Sequence, residues 1–483
     1  MTATLVYQDD VVTPAEMDRR VACAAAGLHA SGIDDGDVVA ILLRNSPEYL
    51  EAMLAARMLG AYSCPINWHF KSDEAAYILG DSGAKVLVAS PELLAGLRSA
   101  LPPVMTITDW SAWRDRHAPW TGTPRAPRGS MPYTSGTTGR PKGVRRIVTT
   151  DEDRRRMMAV TCAAYGVEPG MRGLVSAPLY HSAPNVYSLY SMLVAELLVL
   201  EPRFDAERTL ALVERHRLTN LYLVPTMWVR LLGLPPEVRS RYDLSSVRYV
   251  MATGSPCAPE VKQRMIDWWG PVFYESYASS EAGMVTRIDS AEALARPGSA
   301  GRPFGEARVE VLDEAGNPLP RGEVGLIYAR QLGYVDFTYN NNPEARAAIE
   351  KRGLWCVGDM GYLDAEGYLY VTDRKSDMVI SGGVNIYPAE IETVLITMPG
   401  VADCAVFGIP DDEFGESLCA AVQPGAGEAL SGEAVQAFLR ERIADYKVPR
   451  VVTFHDSLPR EESGKIFKRR LRDPYWEKAG RKI

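Results

Sequence analysis

Paired cysteines are the first thing the sequence lacks. Its seven cysteines stand at positions 23, 64, 162, 257, 356, 404 and 419, and none forms a Cys-x-x-Cys pair, so a zinc site is not expected. An odd, dispersed set fits buried apolar thiols in a reducing cytosol better than a disulfide framework. There is no surplus of positive charge either. The formal net charge of −8 argues against a nucleic-acid partner and against a basic membrane anchor. Long apolar runs are also missing. The most apolar stretch, Tyr187 to Leu200, is broken by Glu196 and is too short to span a bilayer. It is expected to be one buried helix, and no integral membrane segment is expected. The opening MTATLVYQDDVV has no basic segment followed by an apolar one, so no signal peptide is read and a cytoplasmic location is expected. No internal repeat and no low-complexity tract is evident.

The chain's 483 residues, 46% of them apolar and 24% charged, are enough for more than one core. Helical spacing from Pro14 to His29 precedes the short apolar run Asp37 to Leu43. Ser46 to Leu59 is helical, with Ser46 as cap and Pro47 in the first turn, and Lys85 to Ala89 is another strand. This alternation predicts a mainly parallel sheet covered by helices. It returns between Asp205 and Met251, with a helix over 209–218 and strands over 220–224 and 247–252. From Pro297 to Val371 the texture changes to short strands punctuated by Gly and Pro, with a hairpin turn at Asp364-Ala-Glu-Gly367. That region reads as a small distorted β-barrel. After Asp373 the pattern is mixed: helix over 389–397, strand over 401–408, helix over 432–443, strand over 450–454. The expected fold is α/β. A large N-terminal domain (1–372) would comprise α/β subdomains to about 296 and the barrel over 297–372, followed by a small α+β domain over 373–483. The basic runs Arg154–Arg156 and Lys468–Arg470 read as solvated faces, or else as a patch for a phosphate-rich ligand.

The strongest local signal is Tyr133-Thr-Ser-Gly-Thr-Thr-Gly-Arg-Pro-Lys-Gly-Val144. Glycines 136 and 139 let backbone N–H groups approach an anion closely. The hydroxyls of Thr134, Ser135, Thr137 and Thr138 can donate to phosphate oxygens, and Lys142 supplies charge. The Walker pattern does not fit: with Gly136 as its first glycine, Pro141 stands where the second belongs, and Gly143 follows Lys142. Further segments follow in order: Ala177-Pro-Leu-Tyr-His-Ser182, Ala252-Thr-Gly-Ser-Pro-Cys257, Tyr274-Glu-Ser-Tyr-Ala-Ser-Ser-Glu281 and Gly353-Leu-Trp-Cys-Val-Gly-Asp359. Then come Asp373-Arg374, Ser381-Gly-Gly-Val-Asn-Ile-Tyr-Pro-Ala-Glu-Ile-Glu392 and Leu458-Pro-Arg-Glu-Glu-Ser-Gly-Lys-Ile466.

Together these segments resemble, over essentially the whole chain, the motifs of the adenylate-forming superfamily, which includes acyl-CoA synthetases, nonribosomal adenylation domains and firefly-type luciferases. The resemblance implies the roles. Thr134 to Lys142 would hold the β- and γ-phosphates of ATP. Gly254, Ser255 and Pro256 would touch the adenosine. Tyr277 would stack on adenine, Ser280 would bond the α-phosphate, and Glu281 would hold Mg²⁺, for which a hard oxygen ligand is apt. Asp359 and Arg374 would bind the ribose, and His181 the substrate carboxylate. Gly382 and Gly383 would allow the pantetheine arm of CoA to approach, and Lys465 would be the catalytic lysine. Asp373 would be the hinge about which the small domain swings, exchanging Lys465 for the 382–383 face between the two half-reactions. Three positions depart from the family pattern: Ala278 replaces Gly, Ser280 replaces Thr, and Val357 replaces Thr. The N-terminus also begins later than is usual in the family.

The implied activity is ATP-dependent conversion of a carboxylic acid to acyl-AMP with release of pyrophosphate, then thioester formation with CoA. The expected pocket residues are Asn185, Val186, Met227, Trp228, Ala252, Ala278 and Met284. They are mostly apolar, and no Asp stands near to bind an α-amine. This favours a hydrophobic acid, either a medium-to-long fatty acid or a bulky aryl or alicyclic one. A stand-alone adenylation enzyme that loads a carrier protein shares the same pantetheine chemistry and stays open. A non-catalytic nucleotide-binding protein on the same fold is opposed by the presence of both Glu281 and Lys465. The oligomeric state is left open, a homodimer included.

Overall fold

A computed structural model describes the chain from Met1 to Ala479 apart from residues 98–100, 135–139, 148–149, 256, 376, 382–383, 412 and 461–465. Parallel α/β units make up the first part. A nine-stranded sheet carries, in spatial order, Arg302–Pro303, Thr286–Asp289, Phe273–Ser276, Tyr249–Thr253, Asn220–Tyr222, Arg172–Val175, Leu197–Leu200, Thr4–Tyr7 and Asp10–Val12. The six strands from Phe273–Ser276 to Thr4–Tyr7 in that order are parallel, with antiparallel strands added at both edges. A second, all-parallel sheet orders Tyr62–Pro65, Val38–Leu42, Val86–Ala89 and Met105–Ile107. Its strand Val38–Leu42 is buried at every position, as a strand covered on both faces must be. The helices Pro14–Ala30 and Pro47–Met58 pack together, and Ser46 caps the second by accepting from Tyr49 N, with Pro47 in the first turn.

Between Ala307 and Arg374 the chain builds a six-stranded antiparallel sheet. Its central strand Gly325–Gln331 pairs with Ala307–Leu312 from Leu326 to Gln331, and also with Leu354–Trp355 and Asp359–Leu363. The turn at Asp364–Gly367 joins Asp359–Leu363 to Leu369–Arg374, closed by Gly367 N donating to Asp364 O. The last part is a five-stranded sheet dominated by the hairpin Val401–Asp411 and Gly415–Pro424, with Val451–Phe454 parallel to the latter. It is flanked by helices Pro388–Leu395, Gly432–Arg440 and Lys468–Lys478. The fold is therefore α/β, with a large N-terminal part of mixed sheets and a small C-terminal one.

The apolar stretch 187–200 is not one helix. The helix Ser182–Val194 stops, Ala195 takes an extended backbone, and Leu197–Leu200 enters the nine-stranded sheet between two parallel neighbours. Glu196, the interruption, reaches Arg172 on the adjacent strand. Four consecutive buried residues satisfy a central strand as well as they satisfy a helix. Among the described residues, no helix is long and apolar enough to cross a membrane. All seven cysteines are unpaired, six of them buried.

Candidate functional site

One cavity of about 2870 Å³ collects most of the sequence-predicted residues along its wall. A three-stranded sheet builds one side. Tyr133–Thr134, Lys142–Arg146 and Phe337–Tyr339 pair antiparallel, which sets Thr134, Lys142 and Tyr339 beside one another. Glu281 is 5% exposed, and its Oε1 accepts from Thr134 Oγ1 and from the Tyr339 hydroxyl, each at 3.0 Å. The Lys142 ammonium lies 5.2 Å from the centre of the Tyr339 ring. Arg146 is partly buried, and its guanidinium is pushed down to about 10 by loss of water. It donates to the backbone oxygens of Ser280 and Glu281, so the turn that carries both side chains is clamped from below.

A second group stands at the strand end Asp359. The Tyr277 hydroxyl donates to Asp359 Oδ2 at 2.6 Å, and Arg374 Nε lies 3.2 Å from Oδ1. Asp359 and Arg374 face each other because their strands pair in that register. Gly254 and Ser255 line the same cavity at the end of strand Tyr249–Thr253. Gly254 sits at φ +98°, a left-handed turn that favours glycine.

A third group surrounds the start of helix Ser182–Val194. His181 occupies its N-cap position, lines the cavity, and has Nε2 buried without a hydrogen-bond partner. Burial, with a smaller contribution from His69, lowers its imidazole to about 4, so it is neutral at pH 7. The Ser182 and Ser280 hydroxyls are 3.0 Å apart. Asn185 donates to Leu179 O at 3.0 Å and leaves its Oδ1 buried and unpartnered. Val186, Ala278 and Met284 also line the cavity, and Ala278 pairs with Met284 across a short hairpin.

Three expected pocket residues lie elsewhere. On helix Pro225–Leu232 the cavity face is Thr226, Val229 and Arg230, while Met227 and Trp228 sit on the opposite face, in the core, with Trp228 against Phe273. The 3.6-residue period separates the two sets. Ala252 is fully buried one residue before the cavity-lining Thr253, because side chains alternate along a strand. Ser135, Gly136, Thr137, Thr138, Gly139, Pro256, Gly382, Gly383 and Lys465 lie outside the described residues. Arg460 and Ile466, which flank the last of these in sequence, line the cavity. The basic run 154–156 pairs with Asp151, Glu152 and Glu306 as a solvated face would. Lys468 instead turns inward, 2.8 Å from Glu392.

Sequence reasoning did not find Tyr339 or Arg146. Neither stands in a quoted motif as a functional side chain, and they meet Glu281 from 135 and 58 residues away in the chain, on the paired strands Lys142–Arg146 and Phe337–Tyr339. The donor set suits the groups expected here. One carboxylate with a hydroxyl beside it is what Mg²⁺ uses when phosphates and water supply its other ligands. A lysine without a carboxylate partner among the described residues suits phosphate.

The family model described as AMP-binding enzyme matches residues 2–335, and that of the AMP-binding enzyme C-terminal domain matches 390–465. A feruloyl-CoA synthase from Amycolatopsis is 37% identical over 95% of this chain and 93% of its own. The long-chain-fatty-acid–CoA ligase FadD13 of Mycobacterium tuberculosis is 34% identical over 96% of this chain and 93% of its own. Among solved structures, the o-succinylbenzoate-CoA synthetase of Bacillus subtilis in complex with ATP and magnesium superposes with a TM-score of 0.83 at 29% identity, covering 97% of this chain and 96% of that one. The chain belongs to the AMP-binding enzyme family, the adenylate-forming ligases.

Proposed function

We propose that this enzyme is an acyl-CoA ligase, which activates a carboxylic acid with an apolar body as its acyl-adenylate and passes the acyl group to CoA. The observation that carries this reading is the convergence on one cavity of the Glu281–Thr134–Tyr339 cluster, the Tyr277–Asp359–Arg374 cluster and the unpartnered Nε2 of His181.

In the first half-reaction a carboxylate oxygen attacks the α-phosphorus and pyrophosphate leaves. Charge grows on phosphoryl oxygens, so positioning and electrostatic stabilisation carry the step. Lys142 and Thr134 hold the phosphate tail. Asp359 accepts from the ribose with its remaining lone pairs, since each carboxylate oxygen can accept more than once. Ser280 and Ser182 meet the α-phosphate and the carboxylate, and neutral His181 orients the latter. Glu281 would hold Mg²⁺, which supplies charge neutralisation when bound. Lys465 bridges carboxylate and α-phosphate. In the second half-reaction the CoA thiol attacks the acyl carbonyl and AMP leaves. The part of the chain beyond Asp373 swings to exchange Lys465 for the 382–383 face. Asp373 is a suitable pivot: its Oδ2 accepts from Ala389 N at the start of helix Pro388–Leu395, so strand and helix meet at one side chain. The domain division at 372/373 rests on this reading.

The acid pocket is lined by Val186, Leu189, Ala278 and Met284, which favours an aryl, alicyclic or alkyl body. The unpaired buried thiols support a cytoplasmic setting. The test is AMP formation over a panel of carboxylic acids with and without CoA, with acyl products read by mass spectrometry. AMP and acyl-CoA should appear together. Acyl-AMP that ignores CoA would point to a carrier-protein loader instead.

A further inference from the structure

Helix Ser182–Val194 shows the cavity a continuous face. Ser182, Asn185, Val186, Leu189 and Tyr190 all line it, the i, i+3, i+4, i+7, i+8 spacing of one helix side. From His181 at one end to Tyr190 at the other is about 13 Å at 1.5 Å per residue. Val186 and Leu189 make the middle of this wall apolar. Its far end is not.

There the cavity meets Arg57, in the last turn of helix Pro47–Met58. Burial lowers its guanidinium from the ordinary arginine value, opposed in part by Tyr190 and reinforced by Arg154 nearby. Its Nη1 donates to Arg128 O at 3.3 Å. Among the described residues it has no carboxylate within ion-pair distance, and Asp151, which lines the smaller cavity with it, is paired with Arg154. The Tyr190 hydroxyl beside it also has no partner among the described residues. A second cavity of about 200 Å³ lies behind and shares Arg57, Gly129, Met157 and Tyr190 with the first. Arg57 therefore stands in a partition between two voids, with one backbone oxygen as acceptor and no carboxylate to balance its charge among the described residues. A cation so placed is costly unless something pairs with it. A helix-terminal cation acting only on its own carbonyls would not need to face a void.

We propose that Arg57 and Tyr190 close the far end of the acid pocket and receive an anionic oxygen group, a second carboxylate, on the end of the substrate opposite the carboxylate that is activated. The substrate is then an elongated acid with an apolar aryl or alicyclic middle and two polar ends, not a simple fatty acid. A guanidinium binds a carboxylate in a two-point fork, and the phenol adds a third donor. This assignment rests on the acid-activating reading of the cavity.

The test uses matched pairs of aryl or alicyclic acids that differ only at the distal atom, one ending in carboxylate and the other in methyl. Wild-type kcat/KM should favour the carboxylate-ended acid by about tenfold or more, because a site built for a polar group rejects the analogue lacking it. Arg57→Met should abolish that ratio through the KM of the diacid, and Arg57→Lys should retain part of it. The ligand-free Arg57→Met protein should melt no lower than wild type, since a half-buried charge without a carboxylate partner has been replaced by an apolar chain. A wild-type preference for the methyl-ended acid overturns the proposal. So does a ratio that survives Arg57→Met, or a lower melting point with the ratio unchanged. Binding is read separately as the thermal shift with each acid and ATP. A diacid that stabilises wild type but not Arg57→Met, with no AMP formed, sinks the ligase reading and leaves the Arg57 site standing. Activation of methyl-ended acids alone does the reverse, and a shift with neither acid overturns the site.

Discussion

The Tyr277 hydroxyl and Asp359 Oδ2 are 2.6 Å apart, and this contact joins two segments that are distant in sequence. Tyr277 follows the parallel strand Phe273–Ser276, whereas Asp359 opens a strand of the antiparallel sheet. With Arg374 on the other carboxylate oxygen, Asp359 is fixed before any ligand arrives. A pre-oriented acceptor loses little freedom on binding.

Asp359→Asn should raise the KM for ATP by roughly 10- to 100-fold, the range of a lost charged hydrogen bond, and leave the KM for the acid nearly unchanged. The amide can still accept from Tyr277 but no longer balances Arg374. Steady-state kinetics with each substrate varied in turn checks this. A rise confined to the acid KM would remove Asp359 from the nucleotide end.

Glu281→Gln keeps an acceptor for Thr134 and Tyr339 while removing the charge. Adenylation measured by ATP–pyrophosphate exchange should fall by about 10²- to 10³-fold, the scale of one lost electrostatic contact in a closed site. The Mg²⁺ concentration for half-maximal exchange should rise. Normal exchange at the wild-type Mg²⁺ requirement would show that Glu281 is only a structural acceptor.

How far the sequence reveals such contacts depends on their range. Ser46-Pro47, the turn at Asp364–Gly367 and the strands around 38–42 and 86–89 follow from local propensity and period, and the structure has them. The motif side chains Tyr277, Glu281 and Asp359 were legible as types at fixed spacing. Tyr339 and Arg146 were not, because a register between Lys142–Arg146 and Phe337–Tyr339 leaves no local trace. Met227 and Trp228 were misplaced for a related reason: their helix carries Thr226 and Arg230 on one side and Met227, Trp228, Leu231 and Leu232 on the other, and only packing shows that the mixed side, not the apolar one, meets the cavity. Strand Gly415–Pro424 escaped notice because its run Leu418–Val422 is small and apolar without alternation, a pattern that does not distinguish strand from helix.

His181 gives a pH signature. Its imidazole is held near 4 by burial, against about 6.5 in an unfolded chain. Between these values the unfolded chain binds a proton that the folded one refuses. Its contribution to stability is therefore complete above pH 6.5 and is lost as pH falls towards 4, by up to about 3 kcal/mol. His181→Asn lacks this term, so its melting temperature should decline less than that of wild type from pH 7 to 4.5. The kcat/KM of the wild type should show no inflection from His181 between pH 6 and 8. Parallel melting profiles for the two proteins would place the proton elsewhere.

Lys465 separates the two chemistries. If it neutralises the carboxylate and α-phosphate only while the phosphorus–oxygen bond forms, Lys465→Ala should lose ATP–pyrophosphate exchange by about 10²-fold or more. The same variant should still convert supplied acyl-AMP and CoA to thioester at close to the wild-type rate, because the second step needs the lysine out of the way. Neighbouring Lys468 provides the contrast. It is partly buried against Glu392, and although loss of water pulls its ammonium down, the charges of Glu392 and Asp373 raise it on balance, so Lys468→Met removes the counter-charge of two carboxylates where strand Leu369–Arg374 meets helix Pro388–Leu395. That change should depress both half-reactions together and lower the melting temperature, whereas Lys465→Ala should leave the melting temperature alone. Equal loss of both steps in Lys465→Ala, without any change in stability, would mean that one lysine serves both reactions and that no exchange of faces takes place.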